Sequence, residues 1–181
     1  MSGLPPFNIK TSRTVIRRFM LGEVDFFMRC RNDPAYLHDI PWLSSLTPFE
    51  AWSIIIKQAL VHPGAPYVDA QLAIVDKRTS AFLGICSLAV DGTGLRGEIG
   101  INISREYHGC GYGQEVIRAL VFWACESEDG PMLHAVTATV EENDTGSLAA
   151  YAAAGFRMTS RGKATGRYSF IRLVAEGTQR R

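Results

Sequence analysis

The chain has 181 residues and a mass of 19.9 kDa, which is the size of one ordinary domain. Its composition, 46% hydrophobic and 20% charged, provides enough apolar surface for a core and excludes a mostly disordered chain. The net charge of +1 lacks the basic excess of a strong polyanion binder, so we expect no nucleic acid as partner.

Targeting and metal-binding signals are absent from the sequence. No apolar run approaches the ~20 residues that span a membrane, and Met1–Asn8 does not resemble a signal peptide, so we expect no membrane partner. The four cysteines are widely spaced without a CxxC pair, and the four histidines form no HExxH motif. This pattern favours reduced thiols in a cytoplasmic location and predicts no metal site.

In chain order, the sequence predicts a single domain, 1–181, that opens with a short arm at 1–9. The predicted strands cover 14–19, 67–75, 82–90, 95–103, 133–140, 156–161 and 167–174, and the predicted helices cover 22–32, 48–61, a stretch from the glycine-rich segment to about 127, and 145–154. The three central strands are joined by tight turns and form an antiparallel meander. This order predicts an α+β fold with three layers: a mixed, mostly antiparallel sheet of six to seven strands with helices on both faces.

Two local patterns along these elements add detail. Thr47 followed by Pro48 and, three residues on, Glu50 is typical of a capped helix start. Arginines gather in the first predicted strand, at Arg13, Arg17 and Arg18, where we expect a solvated strand face.

Three glycines, Gly109, Gly111 and Gly113, lie between a predicted strand and a predicted helix. Alternate glycines let the backbone turn tightly, and the unpaired N–H groups and positive dipole end of the following helix face the same point. This combination favours an anion cradle suited to phosphate, against the alternative of a glycine-rich turn without a ligand.

The usual nucleotide motifs do not explain these glycines. The dinucleotide fingerprint GxGxxG requires a glycine where Gln114 stands, and the preceding strands form a meander rather than a parallel unit. The pattern GxxxxGK[ST] is also absent. A dinucleotide-dependent oxidoreductase is therefore a weak alternative.

The sequence resembles the GNAT superfamily of acyl-CoA-dependent N-acyltransferases over roughly residues 10–175. The segments that carry this resemblance are His108–Gly113, similar to the family's Q/R-x-x-G-x-G/A motif; Glu98–Gly100, similar to its fourth strand; and Ser147–Phe156, similar to its S-x-x-x-Y-x-x-x-G-F segment. The segments Arg13–Phe19, Asn32–Pro34 and Pro41–Trp42 look like the branch containing the ribosomal-protein N-terminal acetyltransferases and their small-amine relatives.

The resemblance implies transfer of an acetyl group from acetyl-CoA to a primary amine, by direct attack of the amine on the thioester. Glu98 would act as general base, directly or through water, and Tyr151 as general acid toward the departing thiolate. The plainer alternatives are a solvent-facing strand residue or an ion pair with Arg96 at Glu98, and a packing tyrosine at position 151.

The family pattern also implies a set of coenzyme-binding residues. They are His108, Gly109, Cys110, Gly111, Tyr112, Gly113 and Gln114 at the diphosphate, Ile101 and Ile103 along the pantetheine arm, and Asn143 and Ser147 at the second motif. Here His108 replaces the usual Gln or Arg, and Cys110 replaces a frequently basic residue, which removes positive charge. Either Asn143 or Asp144 occupies the family's Asn position.

The acceptor is the least specified part of this hypothesis. Tyr36 and Trp42 lie in a segment, 35–47, that would form one wall of the acceptor site in the family. The sequence does not separate a small amine from a protein N-terminus. A CoA-binding sensor or partner module without turnover is the second hypothesis.

Overall fold

The computed structural model describes residues 7–34, 37, 44–60, 62–164 and 168–176, with side chains described up to residue 162. The strands are β1 (Asn8–Lys10), β2 (Thr14–Arg18), β3 (Asp69–Asp76), β4 (Phe82–Val90), β5 (Arg96–Ile103), β6 (Ala135–Glu141), β7 (Arg157–Ala164) and β8 (Tyr168–Glu176). The α-helices are α1 (Val24–Arg31), α2 (Pro48–Ala59), α3 (Tyr112–Cys125) and α4 (Thr145–Ala153), and short 3₁₀ turns form at Leu21–Glu23 and Arg105–Tyr107.

The strands form one sheet in the order β1-β2-β3-β4-β5-β6-β8-β7. Every neighbouring pair is antiparallel except β5 and β6, so the predicted mixed, mostly antiparallel sheet is confirmed. The sheet has eight strands, one more than the upper expectation, because Asn8–Lys10 pairs with Val15–Arg17. The last residues of the predicted arm therefore belong to the sheet.

Helices cover both faces of the sheet, as predicted. The α1 and α2 helices bury Val24, Phe27, Ala51 and Ile55 against one face, together with Ala73, Val75 and Ile85 of the strands. The α3 helix and Tyr151 of α4 pack on the opposite face with Leu72, Ile74, Leu88, Ile99, Val136 and Ala138. Since neighbouring strand residues point to opposite faces, the alternating side chains of β3 contribute to both cores.

The N-terminus of α2 is fixed by the predicted cap. The hydroxyl of Thr47 accepts from the Glu50 backbone N–H at 3.3 Å, and the Glu50 carboxylate accepts from the Thr47 backbone N–H at 2.8 Å. A cap of this kind stabilises a helix by about 1 kcal/mol. At the other end, the buried Gln58 side chain donates to the Asp69 carbonyl and accepts from the Gln71 N–H, which anchors α2 to the first residues of β3.

Gly84 permits the close approach of β4 and β5. A Cβ atom at this position would lie 2.0 Å from the carbonyl oxygen of Asn102, so a larger residue would push the two strands apart. A bulge between Ile74 and Val75 of β3 lies directly opposite. These irregularities bend the sheet next to the end of β5, where the glycine-rich segment begins.

The parallel pair is short and its two strands then separate. β5 pairs with β6 only over Arg96–Glu98 and Ala135–Thr137, whereas β5 continues to Ile103 and β6 continues along β8 to Glu141. Beyond Glu98, the edge of β5 that faces β6 therefore pairs with no described strand, although side chains reach its carbonyls at Ile99 and Ile103. Among the described helices, none has the length and hydropathy needed to cross a bilayer.

Candidate active site

The glycine-rich segment forms a tight loop that opens α3. Gly109 and Gly111 have positive φ angles of 74° and 78°, a left-handed conformation that favours glycine, and Gly111 is the N-cap of α3. A Cβ atom on Gly109 would meet nothing within 4 Å, so the loop surface is open there. The corresponding position on Gly113 lies 3.8 Å from Ile103, which brings the loop against the end of β5.

The amide groups of this loop are available to a ligand. The first hydrogen bond of the helix runs from the Glu115 N–H to the Gly111 carbonyl at 3.2 Å. The N–H groups of residues 111–114 precede the first donor of the helix and have no hydrogen-bond acceptor within the described chain. Successive donors at the positive end of a helix dipole fit a diphosphate, so the residues present suit the coenzyme that the sequence implies.

The open edge of β5 lies beside this loop. Backbone N–H and C=O groups of one residue in an antiparallel strand point to the same side, and successive residues alternate. Since Tyr151 and His108 reach the carbonyls of Ile99 and Ile103 from the side away from β4, Ile101 between them faces the same opening. This edge can pair with an extended, amide-containing arm.

The side chain of His108 contacts the end of β5. Its Nε2 lies 2.7 Å from the carbonyl oxygen of Ile103, so the ring folds back onto the end of β5. Cys110 is exposed and its thiol contacts the His108 carbonyl at 3.7 Å. The ring of His108 thus braces the loop against the strand.

Tyr151 lies at the point where β5 and β6 separate. Its side chain is 4% exposed and packs edge-on against Phe156, with ring centroids 5.0 Å apart. The hydroxyl donates to the Ile99 carbonyl at 3.5 Å, a long hydrogen bond. Burial raises the pKa of Tyr151, so the phenol stays protonated at neutral pH.

Glu98 lies on the other face of the sheet from Tyr151, the face that carries α1 and α2. It is exposed, and its Oε1 accepts a hydrogen bond from the Thr139 hydroxyl at 2.9 Å. Thr139 is on β6, so this bond crosses the start of the gap between the two strands. Arg96, the expected ion-pair partner, makes no salt bridge to Glu98 among the described residues.

The second motif begins at Asp144 in the structure. The Asp144 carboxylate caps α4 by accepting from the Ser147 backbone N–H at 2.9 Å, whereas Asn143 is exposed in the preceding turn. Asp144 is therefore the N-cap of α4, and which of the two residues takes the family's Asn position stays a prediction. Ser147 is half-buried in the first turn of the helix.

Arg13 and Glu115 belong to the site, although the sequence predicted only a solvated strand face for Arg13. The Arg13 Nη1 donates to the Cys110 carbonyl at 2.9 Å, its Nε donates to Glu115 at 2.7 Å, and its guanidinium stacks on Tyr112 at 4.4 Å. Glu115 lies in the first turn of α3, beside the predicted anion cradle, where a carboxylate needs a cationic partner. Its presence in the sequence was therefore the signal for a nearby arginine or lysine. The sequence did not show which arginine would fill that role.

The same expectation is also wrong for Arg17, which is half-buried. Its guanidinium donates to both carboxylate oxygens of Glu23, at 2.9 and 2.8 Å. Arg13 and Arg17 are therefore each held in an ion pair.

Glu115 is held as a carboxylate by several donors. Partial burial opposes its ionisation, but hydrogen bonds from the Thr11 hydroxyl and from the backbone and guanidinium of Arg13 outweigh it and lower the pKa of Glu115 to about 2. The pair is thus ionised throughout the neutral range.

Of the segment 35–47, which the family pattern places at the acceptor site, the structure describes residues 37 and 44–47. Tyr36 and Trp42 lie outside the described residues. The Asn32 side chain donates to the Leu46 carbonyl and accepts from the Leu46 N–H, at 2.9 and 2.7 Å, which joins the two ends of this segment. In the described ranges, no group of three or more His, Cys, Asp or Glu side chains is arranged to hold a metal ion.

Comparison with solved structures shows the same fold. An acetyltransferase of the GNAT family from Bacillus anthracis matches with a TM-score of 0.78 and 18% identity, over 94% of this chain and 98% of that one. A ribosomal-protein-S5-alanine acetyltransferase from Vibrio fischeri matches with a TM-score of 0.78 and 16% identity, over 96% and 98%. A spermidine N-acetyltransferase from Vibrio cholerae, in complex with CoA and spermine, matches with a TM-score of 0.77 and 15% identity, over 93% of this chain and 98% of that one.

No curated protein matches the sequence significantly. One family model does match it. Residues 13–157 match the model of the acetyltransferase (GNAT) domain, which covers far more than half of the chain. With the glycine loop, the opened strand pair and this match together, the protein belongs to the GNAT acetyltransferase family and is an acetyl-CoA-dependent N-acetyltransferase.

Proposed function

We propose that the gap between β5 and β6 holds the pantetheine arm of acetyl-CoA, with its diphosphate on the amides of residues 109–114. The acceptor, a primary amine, enters from the face that carries α1 and α2. The observation that carries this proposal is the coincidence of three features: the strands separate after Glu98, Tyr151 reaches Ile99 at that point, and the open loop lies at the other end of the same edge.

Acetyl-CoA supplies an activated acetyl group as a thioester. In the transfer, the amine nitrogen bonds to the carbonyl carbon, the carbon–sulfur bond breaks, and the sulfur leaves with the bonding electron pair. The nitrogen must lose a proton and the departing thiolate must gain one, so the protein needs one base and one acid.

Glu98 is placed to serve as the base. It is exposed on the acceptor face, and the hydrogen bond from Thr139 holds one carboxylate oxygen next to the gap. The other oxygen has no hydrogen bond to a described residue, so it can accept a proton from the amine directly or through water. An aliphatic amine is protonated at neutral pH, with a pKa of about 10, so this assistance is needed.

Tyr151 is placed to serve as the acid. Its hydroxyl reaches the gap from the opposite face, and its raised pKa keeps the proton available. The long bond to the Ile99 carbonyl holds the proton only weakly, so donation to a nearby thiolate loses little. Backbone N–H groups of β5 around Ile101 can stabilise the negative charge that develops on the carbonyl oxygen.

The acceptor class follows from this placement. A primary amine with an accessible nitrogen fits a base on an open face, either as a small molecule or as a protein N-terminus. The structural neighbours include enzymes named for spermidine and for a ribosomal-protein alanine, and these two acceptor types define the panel to test. The four free cysteines support a reducing compartment, so we place the protein in the cytoplasm.

The test combines binding with turnover. Thermal melting with acetyl-CoA, CoA and NAD, followed by release of free thiol from acetyl-CoA with a panel of polyamines, amino acids and N-terminal peptides, separates the hypotheses. We expect stabilisation by both CoA species and thiol release with one class of amine, above a reaction without amine. Stabilisation without thiol release for any amine would favour a sensor, and stabilisation by NAD alone would overturn the proposal.

A further inference from the structure

The peptide group between Cys110 and Gly111 is held from one side only. Its carbonyl oxygen accepts from the Arg13 Nη1 at 2.9 Å. In a trans peptide the C=O and N–H bonds point in opposite directions, so this contact fixes the Gly111 N–H to point away from Arg13. Gly111, with a φ of 78°, is the residue whose freedom would otherwise let this peptide rotate.

The guanidinium that makes this contact is itself held at two further points, and the backbone of Arg13 at one. Its Nε donates to Glu115, its plane stacks on Tyr112, and the Glu115 carboxylate also accepts from the Arg13 backbone N–H at 2.8 Å. Thr11 donates to the same carboxylate. Arg13 therefore links the β1–β2 turn to both the loop and the first turn of α3.

We propose that Arg13 is a positioning residue that locks the Cys110–Gly111 peptide with its N–H directed at the coenzyme diphosphate. The inference rests on the proposed function, since it concerns the same cradle. It also gives a role to Arg13, which lies in the β1–β2 turn beside a loop whose residues 108–113 include no lysine or arginine. The guanidinium acts through the peptide plane, and its own charge is balanced by Glu115.

The chain offers a matched control in Arg17. This residue also forms an ion pair with a glutamate, Glu23, whose two carboxylate oxygens accept from its guanidinium at 2.8 and 2.9 Å, but it contacts neither the loop nor α3 in the described structure. Arg13→Gln and Arg17→Gln each remove one such pair. A general loss of stability would affect both variants, whereas a loss of coenzyme affinity should follow Arg13 alone.

The experiment measures Kd for CoA, dephospho-CoA and pantetheine by calorimetry, with each variant's melting temperature recorded. We expect Arg13→Gln to weaken CoA and dephospho-CoA about tenfold, the scale of one charge-assisted hydrogen bond, and to leave pantetheine unchanged. Arg17→Gln should bind all three as the wild type does. Equal CoA affinity for Arg13→Gln and wild type, or an equal loss on pantetheine, would overturn the inference.

Two further readouts separate the peptide lock from a simple charge effect. The affinity ratio between wild type and Arg13→Gln should persist in about 0.5 M salt, where a bare charge contact with phosphate is screened. Arg13→Lys should recover only part of the affinity, because a single ammonium cannot bridge Glu115 and the Cys110 carbonyl in the same way. Full recovery by lysine, or collapse of the ratio in salt, would contradict the lock.

A ligand-free measurement distinguishes failure of this inference from failure of the proposed function. Relaxation dispersion of the Gly111 amide in the free protein should show added μs–ms exchange in Arg13→Gln and none in Arg17→Gln. If wild type binds no CoA, the proposed function fails whatever this amide does. If wild type binds CoA and the Gly111 amide is unchanged in Arg13→Gln, the inference alone fails.

Discussion

The hydroxyl of Tyr151 donates a hydrogen bond to the carbonyl oxygen of Ile99 at 3.5 Å, one residue beyond the last β5–β6 pair at Glu98. The short helix α4 thereby places a proton donor where the sheet opens. Glu98 occupies the opposite face at the same level. The gap thus has a carboxylate on one side and a phenol on the other, which is the arrangement that an acyl transfer between two protonatable atoms requires.

Replacement of Tyr151 by Phe keeps the packed ring and removes the donor. We expect kcat to fall about 100-fold, within the range of general acid catalysis, with little change in CoA affinity. The free energy of unfolding should change by less than about 1 kcal/mol, because the lost hydrogen bond is long. Tyr67→Phe, at an exposed site, is the control, and wild-type turnover in Tyr151→Phe would remove it from the role.

Replacement of Glu98 by Gln keeps the shape and the contact with Thr139 while removing the base. Turnover should fall, because the amine must then lose its proton without a protein base. The check is kcat/KM measured across pH with the best amine of the panel. Glu106→Gln, on the exposed turn at Arg105–Tyr107, should behave as wild type. An unchanged kcat/KM in Glu98→Gln would assign the base elsewhere.

The two glycines that flank Tyr112 should respond differently to alanine. Gly111→Ala places a Cβ in a left-handed conformation, which costs about 1–2 kcal/mol, and sets it 3.5 Å from Arg13. Gly113→Ala lies in α3 with an ordinary contact to Ile103 and should be tolerated or slightly stabilising, by up to about 1 kcal/mol. Chemical denaturation and CoA titration measure both effects, and equal behaviour of the two variants would contradict the observed loop geometry.

Stability at acidic pH should depend on Glu115. Its pKa in the folded protein, about 2, lies below the ordinary 4.5, so the ionised form is favoured by folding. This contribution is present above pH 4.5 and is lost as the pH falls from about 4.5 toward 2. Urea unfolding across this range should show a shallower loss in Glu115→Gln. Arg13→Gln keeps the Thr11 and backbone donors, so it should retain part of the slope, and a wild-type slope in Glu115→Gln would contradict the prediction.

The secondary structure was largely predictable because its determinants are local. The strand Phe82–Val90 was predicted with its observed bounds, and the helix begun by Thr47 and Pro48 carries the expected cap. The antiparallel order of the three central strands was predictable for the same reason, because the turn residues that join them act over two to four positions. The glycine cradle was also readable, since glycines at alternate positions have a direct backbone meaning.

The remaining features depend on contacts between distant parts of the chain. Asn8–Lys10 gives little local signal and becomes a strand only because β2 offers an edge. Arg13 meets Glu115 across about 100 positions of sequence, a distance that no local pattern covers. The cap of α4 by Asp144 rather than Asn143 depends on backbone geometry that spacing alone left open. The roles of Glu98 and Tyr151 stay predictions that the kinetic measurements address.

The single parallel pair has a consequence for how the chain acquires its structure. Strands β3, β4 and β5 follow one another in sequence as well as in the sheet, so their pairing needs only short loop closures after α2. The β5–β6 pair must wait until the segment containing α3 has crossed back over the sheet. We expect the C-terminal strands to dock late, so the gap between β5 and β6 forms only at the end of folding. A nascent chain that ends before β8 would therefore contain the glycine-rich loop but not the completed gap.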